Sequence, residues 1–430
     1  MKKILFSSRS FWKTLKTFCA AAEVSSSLRK TVSSVIEEVR SDGDSAIRKY
    51  IKKFDRADVK PGCFRVSPEE LKEASRRCDR SARMAIRESL KGVEEFHKQC
   101  LPKNWTTRNI HGALVGERYY PLERVGIYIP KGLVSTVVMT CGLAKVAKVP
   151  EVAVFTPCDE AGTVSDGVLA ALHIAGVKEV YRIGGIPAVA AMAYGTASIK
   201  PVLKVFGPGN AYVVEAKRQV YGQIGVDLLP GPSEVMLIAD DTAEASFAAA
   251  DLLAQAEHGS GREKIYFVGL SESIVKKVHD CLREQLKTLP RKTLIASVLK
   301  NGFLTILVDS LEAAAEVANY VAPEHLELEV EEKGQEFLTR LITTAGAIMQ
   351  GKWSATALGD FTAGPSHELP TGGAGRFSSG LRVEDFMRRS SVIRYDKKSL
   401  SKAASVVGVF SQLENLDAHG RSVEIRLEKK

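Results

Sequence analysis

The sequence predicts an α/β fold of two units with largely parallel sheets and a small C-terminal tail. Three observations carry this. From Gly126 onward, short β-branched runs alternate with Ala-rich helical stretches, as in Gly126-Ile-Tyr-Ile-Pro130, Val152-Ala-Val-Phe155, Val180-Tyr-Arg-Ile183 and Val202-Leu-Lys-Val-Phe206. That alternation is the mark of βα units. A second series starts at Val235-Met-Leu-Ile238, passes through a long helix to Ile265-Tyr-Phe-Val268, and continues to Leu304-Thr-Ile-Leu-Val308 and a helix near Leu311–Val317. At 430 residues the chain is too long for one hydrophobic core, so more than one compact unit is expected.

Taken in order, Met1-Lys2-Lys3 opens like a signal peptide, but Arg9, Lys13 and Lys16 interrupt the apolar run that export requires. Residues 25–103 read as charged helices: Val32, Val35, Ile36 and Val39 recur at helical spacing, and Gly43-Asp44 marks a turn. Within the first βα series, Val149-Pro-Glu-Val152 and Val177-Lys-Glu-Val180 both follow an apolar helix and precede a strand, a repeat about one βαβ unit long. After Leu381 the chain is short, polar and basic, with a final strand expected over Ser422–Leu427; a segment this small must dock on the rest of the molecule or on a second subunit.

Composition excludes several classes. With 45% hydrophobic and 26% charged residues the chain is neither disordered nor fibrous. The net charge of +9 is spread along the chain without a basic tail, which favours a solubilising surface over a nucleic-acid partner. Seven cysteines, an odd number with no CxxC pair, fit a reducing, cytoplasmic compartment, and Cys141 reads as a buried structural thiol. Nowhere do about 18 apolar residues run uninterrupted, so no membrane partner is expected.

Four of the eight histidines stand in informative surroundings. Gln255 and His258 lie three apart at the end of one helix and so share a face; an amide oxygen and an imidazole suit Zn²⁺, although the pair alone is equally the mark of a surface histidine. Ala322-Pro-Glu-His325 sets a carboxyl beside an imidazole after a proline, where a helix start is expected, and adjacent titratable groups suit acid–base work. Asp360 and His367 share a Gly/Pro-rich loop, where ligands are hosted more often than cores are built. His419, near Asp417, reaches a metal only if the tail packs over a site. Gly207-Pro-Gly-Asn210 precedes a helix whose free N–H groups could receive an anion; Gly231-Pro-Ser-Glu234 is a similar turn, in which Ser233 could bond a polar substrate group, and plain turn chemistry explains both equally well.

Together the strings Gly207-Pro-Gly-Asn210, Gly231-Pro-Ser-Glu-Val235, Ala249-Ala-Asp-Leu-Leu-Ala-Gln-Ala-Glu-His258, Ala322-Pro-Glu-His-Leu-Glu-Leu328, Ala363-Gly-Pro-Ser-His-Glu-Leu-Pro-Thr371, Arg376-Phe-Ser-Ser379 and Leu416-Asp-Ala-His419 resemble the histidinol dehydrogenase family in order, spacing and identity, from about residue 30 to the C-terminus. The resemblance implies zinc, one per subunit, held by Gln255, His258, Asp360 and a partner subunit's copy of His419. It implies Glu324 and His325 as the catalytic pair, with Ser233, His367 and Glu414 completing the substrate contacts, and Tyr128 and Asn210 as NAD contacts. The implied reaction is a four-electron, NAD-linked oxidation of L-histidinol through its aldehyde to L-histidine, the last step of histidine biosynthesis.

The implied architecture is an intertwined homodimer of two incomplete Rossmann-like domains. Residues 1–24 would pack with the tail, 25–126 and 237–380 would form the first domain, 127–236 the NAD-binding domain, and 381–430 a tail exchanged between subunits. Two departures fall on the nucleotide side: Tyr128-Ile-Pro-Lys-Gly132 replaces the family's Pro-Gly-Gly turn, and Gly184-Gly-Ile-Pro187 carries proline where the family has an NAD-contacting glutamine, which implies altered NAD binding. The alternatives are a relative acting on another small alcohol, and a zinc-containing nonenzymatic nucleotide or nucleic-acid binder. The surviving Ser233, His367 and Glu414 weigh against the first, and the Glu324–His325 pair against the second.

Overall fold

The computed structural model describes residues 2–20, 25–259 and 261–428, so parts of the N-terminal segment (1 and 21–24) and of the tail (429–430) lie outside the described residues. Three sheets organise the chain. The larger sheet has six parallel strands in the order Lys2–Leu5, Phe303–Leu307, Lys264–Gly269, Glu234–Ala239, His325–Glu329, Ala347–Gln350. The smaller has five parallel strands, Glu179–Tyr181, Glu151–Phe155, Arg124–Tyr128, Lys204–Phe206, Gly225–Val226. Setting aside the N-terminal edge strand of the larger sheet, both follow the order 3-2-1-4-5 in their own chain numbering, the Rossmann-type winding in which connections reverse direction beside strand 1. A three-stranded antiparallel sheet joins Met387–Arg394 of the tail to Leu114–Pro121 and Trp105–Arg108.

The helices from Ser26 to Gln99 are amphipathic and must bury one face. They bury it on the smaller sheet: Val32, Ile36, Ile47, Leu90 and Val93 share one core with Val125, Ile127 and Val154. This corrects the expected division, in which 25–126 completed the unit containing 237–380. Leu381, Val383 and Phe386 enter the same core, with Phe386 stacked on Phe206 at 3.8 Å between ring centroids.

The N-terminal segment joins the larger sheet: Lys2–Leu5 pairs in parallel with Phe303–Leu307, and Phe11 and Leu15 of the helix Phe11–Cys19 sink into its core. The strand covers what would otherwise be an open sheet edge. The expected final strand is a second correction: Asp417–Glu428 is a helix packed on the helix Lys397–Leu413, with Gly420 buried against Ser411. The alternation of Val423, Ile425 and Leu427 has no strand to pair with there, and a lone strand leaves its backbone groups unbonded.

Candidate active site

Residues Glu234–Ala239 and His325–Glu329 are neighbouring central strands, so every side chain on them is buried whatever its polarity. The expected helix start at Ala322-Pro-Glu-His325 is instead the reverse: Ala322 takes a left-handed conformation (φ 52°) that ends the helix Leu311–Val321, and His325 opens the strand. Proline at 323 cannot continue the preceding helix, and pairing of His325 with Val235 and Ala347 draws the chain into the sheet.

This places Glu324 and His325 at the amino edge of the larger sheet. The Glu234 N–H donates to Glu324 Oε2 at 2.8 Å, and His325 Nδ1 lies 3.3 Å from the Glu234 carbonyl oxygen. A carbonyl only accepts, so Nδ1 carries the proton and Nε2 is left as the basic nitrogen. Nε2 stands 3.7 Å from Asp360 Oδ1, and His367 Nδ1 stands 3.9 Å from the same oxygen. His367 also donates to the Asp360 carbonyl at 3.2 Å and faces Glu368 at 3.6 Å.

The electrostatics separate these groups. Burial pushes the Glu324 carboxyl well above its usual range; the Glu234 N–H opposes this, while Glu234, Asp360 and Glu368 add to it. Burial holds the His325 imidazole below its ordinary value, against the pull of Asp360. Burial also disfavours protonation of His367, but Glu368 and Asp360 outweigh it and raise its pKa. Glu234 is pushed by burial to about 7, with the Gly372 N–H opposing. Glu234, Glu368, Glu327 and Asp251 were not singled out in the sequence; the available signal was the run His325-Leu-Glu-Leu-Glu329 in a strand with apolar neighbours.

Gln255 is buried on the helix Ala245–Ala256, and its Nε2 has no hydrogen-bond partner among the described residues. His258, one turn on, is exposed and within electrostatic reach of His325. Ser233 is half-buried next to Glu234. Among the described residues no three His, Cys, Asp or Glu side chains are grouped to hold a metal. Glu414 and His419 are exposed on the tail.

On the smaller sheet, Tyr128 is buried and its hydroxyl accepts the Gly185 N–H at 3.3 Å, so it supports the turn from beneath. Asn210 caps the helix Ala211–Val220, accepting from the Tyr212 and Val213 N–H groups. Gly207 has φ +104°, and a Cβ there would lie 2.1 Å from the Tyr128 carbonyl oxygen, so only glycine allows this approach. Pro187 falls in the first turn of the helix Gly185–Tyr194, where a missing N–H leaves the helical bonding intact. Asp227, just past the carboxyl edge of this sheet, is within electrostatic reach of Glu368, which itself acts on Glu324. A cavity of about 430 Å³ is lined by Asp227 and Leu228, beyond the smaller sheet, and by residues between Phe377 and Asp385.

Two Rossmann-type sheets around a buried carboxyl–imidazole pair with oppositely displaced affinities for protons define an α/β enzyme of acid–base type. The histidinol dehydrogenase family model matches residues 20–427. The chain is 40% identical over 404 residues to the histidinol dehydrogenase of Geobacillus kaustophilus, covering 93% of this chain and 94% of that one, and 42% identical over 401 residues to that of Heliobacterium mobile, covering 93% of each. The crystal structure of histidinol dehydrogenase from Elizabethkingia anophelis superposes with a TM-score of 0.95 at 33% identity, covering 100% of this chain and 98% of that one. The chain belongs to the histidinol dehydrogenase family, and it is an oxidoreductase. No described helix is long and apolar enough to cross a membrane.

Proposed function

We propose that the protein oxidises L-histidinol to L-histidine with NAD, in two hydride transfers separated by hydration of a retained aldehyde. The observation that carries this is the buried Glu324–His325 pair beside Asp360 and His367. His325, neutral with its basic Nε2 facing Asp360, takes the alcohol proton as hydride leaves the carbon. Glu324, whose raised affinity for protons makes it a stronger base once ionised, takes a proton from the water that adds to the aldehyde. His325 passes its first proton to water, and the hydrate is then oxidised in turn: His325 takes the hydroxyl proton as the second hydride goes to a second NAD. Burial of both groups keeps bulk water from a reactive amino aldehyde.

Gln255, His258, Asp360 and His419 of a second copy are the oxygen and nitrogen donors that would hold zinc, and the orphaned Gln255 amide supports that reading. Zinc so held would anchor the substrate's imidazole and amino nitrogens and carry no electrons. Ser233, His367 and Glu414 of the second copy are the remaining substrate contacts. The homodimer with exchanged tails is supported by the helix Lys397–Leu413, where Val406, Val409, Phe410 and Leu413 form an exposed apolar stripe at helical spacing. NAD is assigned to the carboxyl edge of the smaller sheet, at the reversal point between Tyr128 and Gly207, with Asn210 at its surface.

The test is NADH formation from L-histidinol by the purified, zinc-loaded protein, with Glu324→Gln beside it. Two NADH per histidine, and a variant that stalls after the first oxidation, are expected. Zinc binding without NADH from histidinol would overturn the substrate assignment.

A further inference from the structure

The strand His325–Glu329 is divided by its two faces. Leu326 and Leu328 enter the core with Met236 and Ile238. His325, Glu327 and Glu329 lie in register with Val235, Leu237 and Ala239, on the face covered by the helix Ala245–Ala256. A central parallel strand ordinarily offers apolar residues to both faces. Here one face is a polar stripe in an otherwise apolar layer.

Glu327 is the middle of that stripe and only 1% exposed. Its Oε1 accepts from the Thr356 N–H at 2.9 Å and from the Thr356 hydroxyl at 2.5 Å. Thr356 opens the helix Thr356–Phe361, whose own N-cap residue, Ala355, supplies no side-chain cap; Glu327 therefore caps it from another element. Asp360 sits one turn further along that helix. Among the described residues no other N–H or O–H donor reaches the second oxygen, Oε2, while the Glu327 carboxyl is hydrogen-bonded to the carboxyl of Asp251. Asp251 lies one turn before Gln255. Two carboxyls joined in this way must hold a proton between them, because two buried like charges in contact cannot both be ionised.

We propose that Asp251 and Glu327 form a positioning pair, sharing one proton, that ties the helix bearing Gln255, the strand bearing His325 and the helix bearing Asp360 into one arrangement. The proposal rests on the zinc and acid–base reading above. Burial drives both groups the required way, Glu327 to about 8 with the repulsion of Asp251 added, and Asp251 to about 6. The charged groups facing Glu327 are Asp251 and Glu329, both acidic; Lys352 acts on Glu329. As pH rises through this range the shared proton is lost, and repulsion replaces the tie.

The experiment compares Glu327→Gln, Glu327→Ala and wild-type full-length protein by zinc competition with a chelator across pH, by kcat and KM for histidinol, and by infrared spectra of the apoprotein. Glutamine keeps one acceptor for Thr356 and one donor for Asp251, so zinc affinity stays within ~3-fold of wild type, whereas alanine weakens it about 10–100-fold. In the glutamine variant the alkaline loss of zinc moves to higher pH, and the protonated-carboxyl band of the wild type at neutral pH loses the component that the pair contributes, leaving that of Glu324. Equal zinc affinity in the glutamine and alanine variants, or an unchanged band in Glu327→Gln, overturns the proposal. If Glu327→Ala does not fold, the glutamine variant's band and its pH shift decide. A wild-type protein that binds zinc but leaves histidinol unoxidised defeats the functional reading alone, since the zinc and infrared arms still report on the pair.

Discussion

The larger and smaller sheets share one strand order and use opposite ends of it. In the smaller, the reversal point at the carboxyl edge is open: Tyr128 ends one strand, Gly207 follows its neighbour, and the helix Ala211–Val220 starts beside them. In the larger, the corresponding carboxyl edge is closed by the Asp240 side chain, whose carboxylate accepts from the N–H groups of Thr242 and Glu331. The buried carboxyl–imidazole cluster of Glu234, Glu324 and His325 stands at the amino edge of the same two strands. Winding alone therefore says where a crevice can form, and side chains say which end is used.

The two sheets also bury charge differently. Lys217 and Asp227 are an opposite-sign pair beneath the smaller sheet's carboxyl edge, almost without exposure. Lys217 Nζ donates to the Gly207 carbonyl at 2.8 Å, and Asp227 accepts the Gly207 N–H at 2.7 Å, so the pair grips the turn from both sides. Burial raises the Asp227 pKa, with Lys217 and the Gly207 N–H opposing; these contacts, aimed at charged forms, favour an ion pair. In the larger sheet burial instead pushes Glu324, Glu234 and Glu327 toward their protonated forms.

The contrast can be broken at several points. The largest effect is expected at the amino edge: His325→Asn lowers kcat about 10²–10⁴-fold while leaving the melting temperature near that of the wild type, measured by steady-state kinetics and calorimetry. A parallel fall in melting temperature would make His325 a structural residue. Next, Lys217→Met strands a buried carboxyl and costs about 3–5 kcal/mol in urea unfolding, with KM for NAD raised more than kcat is lowered. A loss in kcat alone would detach this turn from the nucleotide.

Leu326→Ala empties the apolar face of the catalytic strand and costs about 2–5 kcal/mol. If the strand's two faces are independent, KM for histidinol in the folded variant is unchanged; a changed KM would couple them. The smallest effect concerns the closed edge. Burial lifts Glu329 to about 7, with Asp251 adding to it, so the native state holds a proton that the unfolded chain releases at lower pH. Stability from this group is complete below the ordinary carboxyl range and is lost as pH rises through about 7. Glu329→Gln removes that part of the slope in unfolding curves collected from pH 4 to pH 8; an unchanged slope would place the proton elsewhere.

Much of the site was legible because its residues stand in chemically odd local strings. Gln255 and His258 share a helix face, and Glu324 precedes His325, regardless of what packs around them. Asp360 and His367 lie seven apart, but Asp360 stands on the helix Thr356–Phe361 and not on the expected shared loop; the chain after that helix folds back to bring His367 within 3.9 Å of it. The contribution of Glu327 was hidden, since His-Leu-Glu-Leu-Glu reads as a strand with one wet face. Its burial depends on the strands Glu234–Ala239 and Ala347–Gln350 flanking it and on a helix from 80 residues earlier, none of which local pattern specifies.

By itself the sequence determined the class of fold, the two βα series and which residues are candidates for acid–base work, because periodicity and residue chemistry are local properties. Only the tertiary structure decided that residues 26–99 cover the smaller sheet, that the N-terminus extends the larger one, that the last segment is a helix, and that His325 begins a strand. Those outcomes depend on which apolar face and which open backbone edge find each other across the chain. Long-range burial and hydrogen bonding settle that, and they outweigh the weak preferences of any short stretch.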